Sequence, residues 1–520
     1  MAISWLGGSK VDHPMADARQ ARRIIDELPA NDAAKALQEI TEWLDSLTRT
    51  EGFKLDLRFE NVSLLDAAAK NPVRRLSQDY LSTPRQQKFH ENRLWNAVFG
   101  FWQQLTDSYI LCLDQHDAGA SGASAVRKSL PVIVARALRA LTLQLKWRLL
   151  RYGPVESRVW AEVARLYQYS EQKGFTDSAI AVYPGAHGSS TVKREFLKAV
   201  MFCASSPEGL PPLRQEIAER AVAHFADAFR LSTRPEGCTH CIDLAAPKAP
   251  VRLFKGVAPT ATLRFFGAGE GFAGLNRLTE LVLERGGIPQ DVNLGGDYEK
   301  ELVVAVLKHL AQQWPDHPSE RSSERHPSAG RITVVPGLKD ILQTLDPSDD
   351  DDDTLDFSQD QSAKSAESWI VENASDSGYG AIIPGMKSDW IKVGMLIGVR
   401  SETAEYWGVG LIRRIVVAEQ QRRHVGIQLL TTTAIPVKIS ISRTMSFTDA
   451  DGETEPVILL STGPDSRGEI GVVMRGGLFN SRDRLDMTVR DKSFLLTPVG
   501  LVEGGEDFDW AKFKVMKQAS

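Results

Sequence analysis

Two clusters of residues in this chain have the types and spacing needed to hold an anion. Arg321-Ser322-Ser323-Glu324-Arg325 sets two arginines four apart, ahead of the β-branched run Arg331-Ile332-Thr333-Val334-Val335. Asn373-Ala374-Ser375-Asp376-Ser377-Gly378 follows a second strand-like run, Trp369-Ile370-Val371. An arginine presents a planar fork that grips phosphate oxygens, or the O6 and N7 edge of guanine, through paired hydrogen bonds. Its flat face also stacks on a purine ring. The Asn-x-Ser-x-x-Gly turn adds an amide, a hydroxyl and backbone N–H groups, and its glycine lets a ligand approach the main chain. Arg321, Arg325, Asn373, Ser375 and Gly378 are therefore the candidate ligand-binding residues, suited to a compact, anionic, guanine-bearing molecule.

Other motifs fit their chemistry less well. Cys238-Thr239-His240-Cys241 has no second Cys or His pair at zinc-finger spacing, and Ile242 stands where a c-type haem site requires histidine. Its neighbours Pro235, Glu236 and Gly237 are not those of a redox pair opening a helix, so a partly buried loop is expected. Gly267-Ala268-Gly269-Glu270-Gly271 departs from the dinucleotide spacing and is expected to lead into a helix near residue 272. His224, on an apparently helical segment, is expected to be a hydrogen-bonded core histidine. No nucleophile elbow or H-E-x-x-H stands out. No catalytic residue, metal ligand or cofactor is assigned, and the chain is not expected to be an enzyme.

The elements that must position the two clusters belong to the second part of a chain of 520 residues, long enough for roughly two to four domains. A hydrophobic share of 42% and a charged share of 25% are ordinary for a soluble protein. The net charge of -5 gives no general attraction to nucleic acid or to an anionic membrane, so neither is expected as a partner. Four cysteines make no disulfide framework, Met1 to Leu6 has no signal-peptide pattern, and a cytoplasmic location is expected. The most apolar stretch, Leu130 to Leu150, carries Arg136, Arg139, Lys146 and Arg148, which argues against a membrane span.

Up to about residue 315 the pattern is helical. Asn31 is expected to cap a helix presenting Leu37, Ile40, Leu44 and Leu47 on one face. Thr83-Pro84 is expected to open the helix that buries Leu94, Trp95, Val98, Trp102, Leu105, Tyr109 and Cys112. Further helices are expected near 130–151, 156–173, 190–204, 211–229, 272–286 and 297–312. Trp160 to Gly174 resembles half of a tetratricopeptide repeat, without a second copy at a fixed period. This region, residues 1–315, is expected to be all-α, as one domain or two subdomains, and to contact a protein partner.

Beyond it, short strands bounded by Gly, Asp, Ser or Pro follow closely, at Met395 to Arg400, Tyr406 to Ile412, His424 to Leu430, Val437 to Ile441, Pro456 to Leu460, Gly471 to Met474, Arg484 to Val489 and Ser493 to Leu496. They predict an antiparallel barrel or sandwich. An acidic insert at 346–367 holds Asp349 to Asp353, a self-repelling run expected to be disordered.

The order of R-x-x-x-R, strand, strand and N-x-S-x-x-G resembles the PilZ domain, a bacterial receptor for cyclic di-GMP. Arg321 and Arg325 match the first motif; Asn373, Ser375 and Gly378 match the second. Val393 to Val399, Trp407 to Ile415 and His424 to Leu430 resemble the family's later strands. Two places depart from it: 48 positions separate Arg325 from Asn373, and Asp376-Ser377 stands where a small residue or glycine is common. The insert's aspartates would, on this reading, be able to occupy the arginines when no ligand is present.

The resemblance implies a PilZ-like β-barrel at 318–431, with a further β region at 432–520 that extends the barrel or forms a second one. It also implies that Arg321 and Arg325 contact phosphates and guanines while the Asn373–Gly378 turn holds the other side of the ligand. The implied function is a cyclic di-GMP-binding signalling effector or adaptor, in which ligand changes contacts between barrel, helical region and partner proteins. The alternative is an interaction scaffold whose degenerate PilZ-like barrel binds no ligand.

Overall fold

Apolar side chains recurring every three to four residues give the first half of the chain its helices, and alternation gives the second half its strands. The computed structural model describes residues 11–83, 87–183, 188–254, 256–315, 325–346, 366–384, 390–418, 422–441, 454–489 and 492–517. Arg321, Pro84 and the run Asp349 to Asp353 lie outside these described residues. The chain divides into two units: Met1–Pro207 with Pro212–Ser319, and Glu208–Pro211 with Glu320–Ser520.

The first unit holds α1 (Ala18–Asp26), α2 (Ala33–Arg49), α3 (Leu55–Ser82), α4 (Lys88–Asp117), α5 (Ala123–Val126) and α6 (Leu130–Leu149). These are followed by α7 (Ser157–Lys173), α8 (Val192–Ala204), α9 (Pro212–His224), α10 (Glu270–Arg285) and α11 (Lys300–Gln313). Two expected helix starts move. Asp32, not Asn31, caps α2, its Oδ1 accepting the Lys35 N–H at 3.0 Å. Both residues have the required side chain, but the extended residue next to Ala33 is Asp32. Thr83 closes α3 rather than opening α4, donating its hydroxyl to the Asp79 carbonyl at 2.5 Å.

Helix α3 itself was hidden by Pro72, which the helix carries in its interior; Val62, Leu65, Ala69, Val73, Leu76 and Tyr80 still form its buried stripe. Two of the charges that argue against a membrane span in α6, Arg136 and Lys146, are buried and paired. Lys146 Nζ donates to Glu216 at 2.6 Å and to Glu219 at 3.1 Å, and Arg136 donates to the Val182 carbonyl at 2.8 Å and to the Tyr109 hydroxyl at 3.1 Å. Burial would raise the Glu219 carboxyl, but the Lys146 and Arg220 charges overcome it and hold it down to about 2. Among the described residues no helix is long and apolar enough to cross a membrane.

The unit also carries a small antiparallel sheet, β1 (Arg230–Ser232), β2 (His240–Asp243), β3 (Val251–Arg252) and β4 (Leu263–Gly267), ordered β1-β4-β2-β3. The Cys238–Cys241 stretch is only in part the expected loop: Cys238 and Thr239 lie outside any strand, but the last two residues start β2, where Cys241 is buried opposite Phe265 and Val251. Burial and then Asp243 push the Cys241 thiol up, opposite to what a metal-binding or redox thiolate needs. His240 stacks on Phe266, with ring centroids 5.6 Å apart. His224 is corrected too: as the last residue of α9 it is exposed rather than in the core.

The second unit holds two closed antiparallel barrels. The first contains β5 (His326–Pro336), β6 (Glu367–Ser375), β7 (Gly378–Ile383), β8 (Leu396–Ser401), β9 (Gly408–Val417) and β10 (Arg423–Thr431), closed in the order β10-β7-β6-β5-β8-β9. The later strands do not extend it but form a second barrel. They are β11 (Ile435–Ile441), β12 (Thr454–Leu459), β13 (Glu469–Arg475), β14 (Leu485–Val489), β15 (Lys492–Gly504) and β16 (Phe508–Lys517), ordered β11-β12-β13-β16-β15-β14. Helix α12 (Gly337–Leu345) follows β5, and its Leu338 and Ile341 join Leu396, Val409 and Leu411 of the first barrel to Ile458, Val473 and Phe508 of the second in one apolar cluster. Asp507, in the β15–β16 turn, caps α12 by accepting the Leu338 N–H at 2.7 Å.

Candidate binding cleft

Strand β6 meets β7 at the Asp376-Ser377 turn, so the Asn-x-Ser-x-x-Gly motif forms the tip of a hairpin. Its register slips between Val371 and Asn373, leaving Glu372 as an extra residue. Strict alternation would send Glu372 and Asn373 to opposite faces; the bulge lets both face one cleft. A second slip, between Gly426 and Ile427 on β10, pairs Arg414 and Ile412 of β9 with successive residues and makes Arg413 the extra one. Arg413 and Arg414 consequently line the same cleft, in the middle of an otherwise apolar strand.

The cleft has a volume of about 590 Å³, within the usual range for small-molecule sites. Arg325, Asn373, Ser375 and Gly378 all line it, and Arg325 Nη1 donates to Asn373 Oδ1 at 3.1 Å across the sequence gap. The serine turn is internally tied: the Ser375 and Ser377 hydroxyls lie 3.2 Å apart, and Ser375 donates to the Gly378 carbonyl at 3.4 Å. Of the expected site residues, only Arg321 has no place to report, since it lies outside the described residues.

Both glycines of β7 leave room for something specific. A Cβ on Gly378 would collide with the Ile427 carbonyl oxygen of β10, so this glycine serves strand pairing. A Cβ on Gly380 would sit 2.6 Å from Asn373 Oδ1 and 2.8 Å from its Nδ2, so this glycine makes room for the amide. Gly380 did not stand out in the sequence, nor did Arg413, Arg414, His424 or Gln428. The available signal was the Arg-Arg pair interrupting an apolar strand, which alternation alone cannot place.

Three arginines face the cleft with one histidine and one carboxylate among the lining residues. His424 Nδ1 lies 2.9 Å from Glu372 Oε2. Arg413 donates Nε to Gln428 Oε1 at 2.6 Å, and its two terminal nitrogens reach the two oxygens of Glu503 at 2.7 and 2.8 Å. The arrangement suits an anion with flat, hydrogen-bonding groups: forks for phosphate or a purine edge, and an amide and hydroxyls opposite. Among the described residues no group of three or more His, Cys, Asp or Glu gathers to hold a metal ion.

Two family models match the chain. The model described as the N-terminal domain of the cyclic-di-GMP receptor FimW covers residues 19–236. The model described as the middle PilZ domain of that receptor covers residues 340–436, a span that contains Asn373, Ser375 and Gly378 and begins after Arg321 and Arg325. No curated protein matches the chain.

Proposed function

We propose that this chain, which belongs to the PilZ-domain family, binds cyclic di-GMP in the cleft of its first barrel and acts as a cytoplasmic signalling effector. The observation that carries this reading is the Arg325–Asn373 hydrogen bond, which brings the two halves of the motif together across 48 positions. The ligand carries two phosphates and two guanines, and Arg325, Arg413 and Arg414 offer forks for both kinds of group. Arg321, four residues ahead of Arg325, adds a further one. Asn373, Ser375 and the backbone around Gly378 hold the opposite side.

The work of the ligand is ordering rather than catalysis. Its contacts with Arg321 and Arg325 favour whichever arrangement of the chain binds it better. Because these arginines follow the helical region in the chain, ligand binding changes contacts between barrel, helical region and partner proteins. A non-binding scaffold is the second reading, favoured by the carboxylates of Glu372 and Glu503 already engaging His424 and Arg413.

Calorimetric titration separates the two readings. Cyclic di-GMP should bind wild type with micromolar affinity, and Arg321→Ala/Arg325→Ala should remove detectable binding. Each lost charge-assisted contact is worth about 1.5–3 kcal/mol, roughly ten- to a hundredfold in affinity. Absence of heat from folded wild type would favour the scaffold.

A further inference from the structure

We propose that Glu503, on the second barrel, is a built-in competitor of the ligand: it holds Arg413 until an anion entering the cleft displaces it. This rests on the cyclic di-GMP reading of the cleft. Arg413 lines the cleft, yet its terminal nitrogens are both taken by Glu503, which is not among the lining residues. A bidentate carboxylate occupies the fork that a phosphate would use, so the two anions exclude each other. The side chains of Arg413 and Glu503 remain 35% and 23% exposed. A pair this accessible to water is held weakly enough to be exchanged.

Both partners stand at breaks in strand alternation. Arg413 is the extra residue of the β9 bulge, and β15 slips register between Leu501 and Glu503, just before the carboxylate. Bulges re-aim side chains, and here the two re-aimed groups meet. Displacing Glu503 would remove one tie between the barrels, leaving the Lys392–Glu506 pair at 2.7 Å and the Asp507 cap on α12. Ligand occupancy is thereby passed to the β15–β16 hairpin. By linkage, anything that draws the Glu503 carboxylate off the Arg413 fork strengthens ligand binding by the same factor.

The test is calorimetric titration of cyclic di-GMP into the full chain, with each variant first shown to be folded by circular dichroism. Glu503→Gln should tighten Kd by up to roughly fivefold, the range expected for losing a partly exposed ion pair. Arg413→Gln should weaken binding, and adding Glu503→Gln to it should bring no further change. Glu506→Gln, which removes a charge from the same hairpin but spares the fork, should leave Kd unchanged. Unchanged or weaker binding by Glu503→Gln, or equal tightening by Glu506→Gln, overturns the competitor. If binding still requires Arg325 in that case, the cyclic di-GMP reading survives. Folded proteins that show no binding in any variant bring down both.

Discussion

Gly378 and Gly380 stand two apart on β7, and a side chain at each would meet a different obstacle. Gly378→Ala must push back the Ile427 carbonyl, so the barrel should lose about 1–3 kcal/mol in denaturant unfolding, the usual cost of overpacking. Gly380→Ala presses on the Asn373 amide instead. It should weaken cyclic di-GMP binding by roughly tenfold, one charge-assisted contact, with a smaller loss of stability; calorimetry and unfolding together would separate the two. In the first unit, burial and then Arg252 lower the His240 imidazole from 6.5 to about 4. Between these values the unfolded chain binds the proton and the folded chain does not. Stability is therefore fully present above about pH 6.5 and falls as the pH drops toward 4, by on the order of 3 kcal/mol. Denaturant unfolding of the chain at pH 7 and pH 4.5 should show the drop, and His240→Gln should flatten it.

The long periodic helices and the β-branched strands were legible because burying one face imposes its period on the sequence. Segments whose local chemistry opposes their final state were not. Helix α3 runs through Pro72, a residue that ordinarily ends a helix. Strand β7 begins Gly-Tyr-Gly, and glycine disfavours strands unless, as here, a neighbouring backbone or amide needs the room. Strands β1 and β3 have three and two residues, too few to show alternation. The motif that binds the site together was readable, whereas Arg413 and Arg414 depend on a bulge that only the pairing of β9 with β10 reveals. Helix α12 shows a related dependence, since its N-terminus is capped by Asp507 from a distant turn. Asp507→Ala should cost about 1 kcal/mol or more, and amide exchange in residues 338–345 should speed up measurably.

At the scale of the whole molecule, an apolar layer joins the two barrels of the second unit, beside the core that the second barrel keeps to itself. Leu338, Ile341, Leu396, Val409 and Leu411 are covered by Ile458, Val473 and Phe508, so the first barrel is not closed off from its neighbour by polar surface. A chain ending at residue 434 would expose that layer to water. It should aggregate or bind hydrophobic dye, as judged by size-exclusion chromatography and dye fluorescence, while the full chain does neither. The boundary that strand order draws between the barrels is thus a boundary of topology and not of packing.

The Asp507 cap also bears on protein synthesis. Leu338 and Asp507 are 169 residues apart, and Asp507 lies within the last turn before β16. A ribosome delivers the strands of the first barrel long before the residues that seat α12 and cover its apolar side. At roughly 5–20 residues per second, the stretch from the end of β10 at Thr431 to Asp507 leaves about four to fifteen seconds in which the first barrel is made but unsealed. Chaperones and proteases would meet it in that interval, and the β15–β16 hairpin then completes the second barrel and seats α12 in one step.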